Sequence, residues 1–354
     1  MSLIDLADRA ILPDPLIRGG IRLLDHKRLV QEKRPTNSQQ DEAKKAFVNM
    51  LKRSPIAIET GKANEQHYEL PPEFFVKVLG KHLKYSACYW PEGCRSLDDA
   101  EAAMLALTCR RASLADGLEI LELGCGWGSL TLWMAEHYPD SRITAVSNSA
   151  PQRGFIQAAC RRRGLKNVTV VTADMNHFIT SRRFDRVVSV EMFEHMRNWQ
   201  RLLKKVRSWL KPDGRAFIHI FSHRQYAYPF DSGGADDWMG THFFSGGIMP
   251  SDDLIDHFAD DLVVEKHSKV NGMHYYKTAQ AWLANLDRQK DDILPIMAGV
   301  YGAKHAALWL QRWRIFFMAC AELWRIREGR AVSYTHLTLP TTCTPCRCRG
   351  SAGD

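Results

Sequence analysis

Residues 118–129 read Leu118-Glu-Ile-Leu-Glu-Leu-Gly-Cys-Gly-Trp-Gly-Ser129. A short apolar run meets three glycines within five positions, and a helix-compatible stretch follows at 129–137. That order predicts a buried strand, a tight backbone turn and a helix N-terminus whose free amides suit a carboxylate or phosphate. The turn is not the dinucleotide pattern G-x-G-x-x-G, because Ser129 stands at the third glycine position and Gly128 comes one residue early.

Working outward, residues 142–146, 168–172, 184–190 and 214–221 read as strands, with helices at 151–163 and 199–210 between them. Strands alternating with helices predict an α/β fold, doubly wound, with a mostly parallel sheet covered on both faces. Beyond 221 the alternation stops: 222–260 is loop-rich and aromatic, 262–267 reads as another strand, and 278–330 is mostly helical. Upstream, Ala43, Phe47, Val48 and Leu51 share a helix face, and Pro71-Pro72 opens a helix through Phe74, Phe75, Val78 and Leu79. The domain division expected is 1–84 as a helical N-terminal arm or lid, 85–221 as the ligand-binding core, and 222–331 as a substrate cap with the remaining core strands. Residues 332–354, SYTHLTLPTTCTPCRCRGSAGD after Val332, show no period and are expected to be a disordered, non-native tail. Cys343-Thr-Pro-Cys346 lacks a second ligand pair, so no metal site is expected.

At 354 residues and 45% hydrophobic content the chain can bury a full core. No apolar run approaches the roughly 20 residues of a membrane span, so no stable membrane insertion is expected. The N-terminus carries early acids together with Pro13 and Pro15 where a signal peptide needs an unbroken apolar stretch, and the compartment expected is the cytoplasm. The net charge of +8 is scattered in short clusters such as Arg161-Arg-Arg163, the pattern of solvated helix faces, so no nucleic-acid partner is expected. A homodimer is compatible with these features.

The spacing Glu122-Leu-Gly124-Cys-Gly126 resembles the E/D-x-G-x-G turn of class I methyltransferases, in which the acid lies near the cofactor S-adenosyl-L-methionine. Together with Ala63-Asn-Glu-Gln-His-Tyr68, Tyr85-Ser-Ala-Cys-Tyr-Trp90 and Val190-Glu-Met-Phe-Glu-His-Met196, it resembles the cyclopropane-fatty-acid-synthase-like methyltransferases over residues 45–330, within them the coclaurine N-methyltransferase-like branch. The resemblance implies a Rossmann-like core with a seven-stranded mostly parallel sheet and helical caps. It also implies cofactor contacts from Tyr85 and Ser86 and an active site at Glu191, Glu194 and His195. Many such enzymes end the second strand with an acid for the ribose hydroxyls, where this chain has Ser147-Asn148 and then Gln152; the Gln152 amide oxygen is expected to substitute. Asp174, with Met175 beside it, is expected at the adenine.

Two branches of the resemblance differ in chemistry. The cyclopropane synthases hold a bicarbonate base, and of that pocket this chain keeps Glu194, His219 and Tyr275. It carries Ala87 in place of the cysteine of their Y-S-C pattern, and a carboxylate at Glu191 where they usually have a small residue. A second carboxylate disfavours a bound anion, which points to transfer of a methyl group to the nitrogen of a small amine, benzylisoquinolines being one type. Glu191 and Glu194 would attract the ammonium and His195, with a pKa near neutral, would take its proton. Tyr68, Trp238, Phe243, Phe244, Trp313 and Phe316, with His219 and Tyr275, are expected around the substrate. The alternatives are methylene transfer to unsaturated lipids and, in another class, a non-catalytic cofactor-binding module.

Overall fold

The structure is a computed structural model that describes residues 3–58, 70–230 and 238–341. Tyr68, the 63–68 motif and the cysteines from Cys343 onward therefore lie outside the described residues.

The strand read from the glycine-rich stretch is β1 (Glu119–Leu123). Its neighbours are β2 (Arg142–Ser147) and β4 (Phe184–Val190), with β3 (Val168–Thr172) beyond β2 and β5 (Leu210–His223) beyond β4. These five pair in parallel. The sheet runs β3-β2-β1-β4-β5-β9-β8, where β8 is Lys266–Asn271 and β9 is Val332–Pro340, antiparallel to both of its neighbours. The seven-stranded, mostly parallel sheet expected from the alternation is thus present.

Both faces are covered, which is why apolar residues dominate the core strands. Ile120, Val188 and Phe217 pack toward α5 (Leu97–Arg111) and α6 (Ser129–His137). Leu121, Leu123 and Val187 pack with α3 (Asn37–Arg53) and α8 (Trp199–Trp209). In sequence order α1 (Leu3–Asp8) and α2 (Asp14–Glu32) precede α3, α4 (Pro72–Val78) follows it, and α7 (Ala150–Arg163) joins β2 to β3. After the short α9 (Trp238–His242), a helical cap is formed by α10 (Met273–Arg288), α11 (Lys290–Tyr301) and α12 (Ala306–Arg325). On α12 the fully buried Glu322 holds α2 through Arg18 at 2.9 Å and Arg22 at 3.1 Å. Among the described residues no single helix is long and apolar enough to cross a membrane.

Two expectations are corrected. The strand placed at 262–267 is displaced to Lys266–Asn271. Residues 332–340 are not disordered but form β9, inserted between β5 and β8. Both faces of β9 are covered and its buried positions include Thr335, His336 and Thr338, so no apolar-polar alternation marks it in the sequence.

The turn after β1 is where the fold is tightest. Gly124 has φ +78°, and a Cβ there would lie 2.9 Å from the Cβ of Met192, at the end of β4. Gly124→Ala should therefore both strain the backbone and push the two strand ends apart, at a cost of about 2 kcal/mol. Thermal melts of the variant should show a drop of several degrees; an unchanged melting temperature would contradict this reading of the turn.

Candidate active site

The C-terminal ends of β1, β2, β3 and β4 all point to one edge of the sheet, and two cavities open there on either side of the glycine turn. Gly124, Gly126 and Glu191 border both. The first cavity also meets Asn148, Gln152, Asp174, Met175 and His195. The second meets Lys84, Tyr85, Ser86 and Glu122. Every residue expected at the cofactor thus lies in one of these two walls, and this placement follows from parallel strands ending in loops at a common crevice.

The cradle matches S-adenosylmethionine on its own chemistry. Gly126 has φ +52° with open space where a Cβ would stand, so backbone can approach a ligand. Gln152 is buried, and its Oε1 accepts from the Ser147 hydroxyl at 2.6 Å while its Nε2 has no partner among the described residues. The side-chain oxygen expected from the sequence at the ribose is thus engaged by Ser147, and the amide nitrogen is the group left unpaired among the described residues. Asp174 is fixed by the Asn176 amide, which donates to its Oδ1 at 2.7 Å.

At the end of β4 the chain turns sharply: Glu191 has φ +47°, and a short 3-10 turn spans Phe193–His195. Glu191 accepts from the Ala87 amide at 2.8 Å and from the Tyr275 hydroxyl at 3.1 Å, and His219 Nε2 stands 3.5 Å from it. Burial raises its pKa, opposed by the nearby Lys84, the Ala87 amide and the Tyr275 hydroxyl. Glu194 is 1% exposed and neither carboxyl oxygen has a partner among the described residues. Burial first, and then the charge of Glu191, lift its pKa well above the ordinary value. Burial pushes His195 down to about 4, against the near-neutral value expected for it. Its ring lies 4.5 Å from that of Phe244. Glu122 is pushed up to about 8 by burial, although the Thr131 hydroxyl donates to it.

The expected aromatic wall divides. Phe244 touches His195 and Tyr275 holds Glu191, whereas Phe243, Trp313 and Phe316 pack on one another, with ring centroids 4.5 Å apart for Phe243 and Phe316 and 5.1 Å for Phe243 and Trp313. Trp238 donates its indole N–H to Asp8 at 2.9 Å. None of these, nor His219, borders the two cavities.

Two residues went unnoticed in the sequence. Lys84 is buried at the wall of the second cavity, and Glu101, on α5, is also fully buried. The Glu101 carboxyl accepts the backbone amides of Gly80 at 2.9 Å, His82 at 2.7 Å and Lys84 at 3.2 Å, and so pins the strap that carries Lys84, Tyr85 and Ser86. Only the pairing of 101 with 80–84 across the fold marks it, and no local motif does.

The mycolic acid cyclopropane synthetase family matches residues 57–332. The chain is 34% identical over 341 residues to (S)-coclaurine N-methyltransferase from Thalictrum flavum subsp. glaucum, covering 95% of this chain and 94% of that protein. Pavine N-methyltransferase from the same plant is 33% identical, with 93% of each chain covered. A crystal structure of coclaurine N-methyltransferase bound to N-methylheliamine and S-adenosylhomocysteine superposes with a TM-score of 0.92 at 34% identity, over 95% of this chain and 98% of that one. With the fold, the glycine cradle and these likenesses in agreement, this chain belongs to the mycolic acid cyclopropane synthetase family and is an S-adenosylmethionine-dependent methyltransferase.

Proposed function

We propose that the acceptor is the nitrogen of a small cyclic aromatic amine of the benzylisoquinoline type, methylated in the cytoplasm. The observation that carries this reading is Glu191, which borders both cavities at the end of β4, with the buried Glu194 three residues further on. The likeness to coclaurine and pavine N-methyltransferases supports the same class of acceptor.

When bound, S-adenosylmethionine supplies a methyl carbon made electrophilic by an adjacent sulfonium. Glu191 is the more acidic of the two carboxyls because it alone has the Ala87 amide, the Tyr275 hydroxyl and Lys84 to favour its charge. Burial holds Glu194 toward its protonated form and His195 toward the neutral imidazole, which leaves Glu191 the carboxyl best supported in its charged form. Glu191 can balance one cation. A second, the substrate ammonium, is under electrostatic pressure to shed its proton to solvent, and His195, on the wall of the first cavity, accepts a hydrogen bond from that N–H without keeping the proton, its own pKa being depressed to about 4. Glu191, on the wall of both cavities, then holds the neutral nitrogen in line, and positioning of this kind can supply up to roughly 7–11 kcal/mol. The same pair argues against lipid cyclopropanation, since a site with a carboxylate at Glu191 repels the anionic base that reaction needs.

Purified protein with methyl-labelled cofactor should label cyclic aromatic amines and leave unsaturated phospholipid vesicles unlabelled; label in lipid alone would reject the proposal. Glu191→Gln should lower kcat/KM by at least about 30-fold through loss of a buried counter-charge, while S-adenosylhomocysteine still binds. His195→Ala should slow turnover similarly, and a fully active variant would remove that residue from the chemistry.

The ionisation pattern also has a sign for stability. Burial lifts Glu101 to about 7 and Glu122 to about 8, so their contribution is complete below the ordinary carboxyl range and is lost as pH rises through 7 to 8. His195 is depressed to about 4, so its contribution is present above its ordinary value of 6.5 and is lost as pH falls through 4. The melting temperature of the ligand-free protein should thus fall on going from pH 6 to pH 9, and Glu122→Gln should flatten that limb. A curve that rises over this range would overturn the assignment of buried neutral acids.

A further inference from the structure

A buried carboxyl in the N-terminal arm is tied to the segment that packs on His195. Asp8, the last residue of α1, is 8% exposed, and both of its oxygens are engaged. Oδ1 accepts the indole N–H of Trp238 at 2.9 Å, and Oδ2 accepts Arg312 Nε on α12 at 2.9 Å. Beside this ion pair Gln311 Nε2 donates to the Ala7 carbonyl at 3.1 Å, and the Arg312 guanidinium lies over the Trp309 ring, 5.0 Å from its centroid. Helix α1 has six residues and α9 has five, too few for either to hold its shape alone, so tertiary contacts decide where both sit. Hydrogen bonds to an ionised partner are the strong and directional ones, and Asp8 is where α1, α9 and α12 meet. Trp238 opens α9, and the far end of that helix leads into Phe243 and Phe244, whose backbone amides both reach the Met239 carbonyl at 2.9 Å. The Phe244 ring then lies 4.5 Å from the imidazole of His195, with the two planes 36° apart. Of the residues in this run of contacts only His195 lines a cavity.

We propose that Asp8 is a positioning residue for methyl transfer: through the Trp238 N–H it clasps α9, and with it sets the ring of Phe244 against His195. The arm thereby acts on the acceptor side of the site from outside the stretch shared with the family, which begins at residue 57. Asp8 borders neither cavity, so its effect reaches the reacting nitrogen only through the orientation of His195. Its part in the reaction rests on the reading of His195 as a hydrogen-bond acceptor for the substrate N–H, whereas the clasp from Asp8 to Phe244 stands without that reading.

Proton NMR of the full chain saturated with S-adenosylhomocysteine reads the clasp without turnover. The imidazole protons of His195, assigned as those absent from His195→Ala, should carry a ring-current shift that Phe244→Leu removes. Trp238→Phe keeps an aromatic ring in place and deletes the N–H. That variant and Asp8→Ala should each lose the shift, and the double variant should lose no more than the larger single loss, because both act through one bond. With S-adenosylmethionine and tetrahydroisoquinoline as the probe acceptor, each should lose at least about tenfold in kcat/KM while affinity for S-adenosylhomocysteine stays within about twofold. A staple that serves stability alone would lower the melting temperature and leave the His195 signal and kcat/KM unmoved; that result overturns the proposal, as does a loss of cofactor affinity equal to the loss of turnover. If Asp8→Ala does not fold, Trp238→Phe decides by the same readings. Wild-type protein that is inactive on the amine, with the His195 shift lost in both variants, would sink the amine reading while upholding the clasp.

Discussion

A carboxyl group taken out of water without a counter-ion gives up its charge, and this site is organised around three that have been taken out of water. Glu122, Glu191 and Glu194 all lie within or beside the crevice at the end of the parallel strands, and burial raises the pKa of each. What separates them is local hydrogen bonding. Glu191 is given an amide, a hydroxyl and a nearby ammonium, Glu122 one hydroxyl, and Glu194 no side-chain partner. The fold therefore keeps acids at the place where a cation would restore their charge, and the cost of keeping them buried is carried by the surrounding sheet and helices.

That burial depends on how closely two strand ends approach. Gly124 after β1 and Met192 after β4 leave no room for a side chain between them, and the same contact brings the glycine turn against the strand end that carries Glu191 and Glu194. The cap adds the second half of the enclosure. Tyr275 reaches from α10 to Glu191, so that acid is held from the helical cap as well as from the sheet, and Phe244 lies against His195.

The parts legible in the sequence were those set by adjacent residues. The glycine turn, the strand-helix alternation and the residues at strand ends could be read because a parallel sheet delivers its loops to one edge whatever the details of packing. Gln152 was legible as a residue of the crevice, but which end of its amide is free was not, since its orientation is decided by Ser147. Lys84 and Glu101 were illegible because their role comes from a loop and a helix meeting across the fold. Strand β9 was hidden by Thr and His at buried positions, and the family match ends at residue 332, where that strand begins. Aromatic residues of the cap read alike as core or as wall, and Phe243, Trp313 and Phe316 proved to pack on one another.

The left-handed backbone at Glu191 reaches beyond the reaction. A non-glycine residue at φ +47° stores conformational energy of order 1–3 kcal/mol, and glycine would release it. Directed evolution of this enzyme for heat tolerance alone would thus favour discarding the very side chain proposed to balance the substrate's charge. Any such campaign needs activity as a co-selected trait, because at this position robustness and turnover pull in opposite directions.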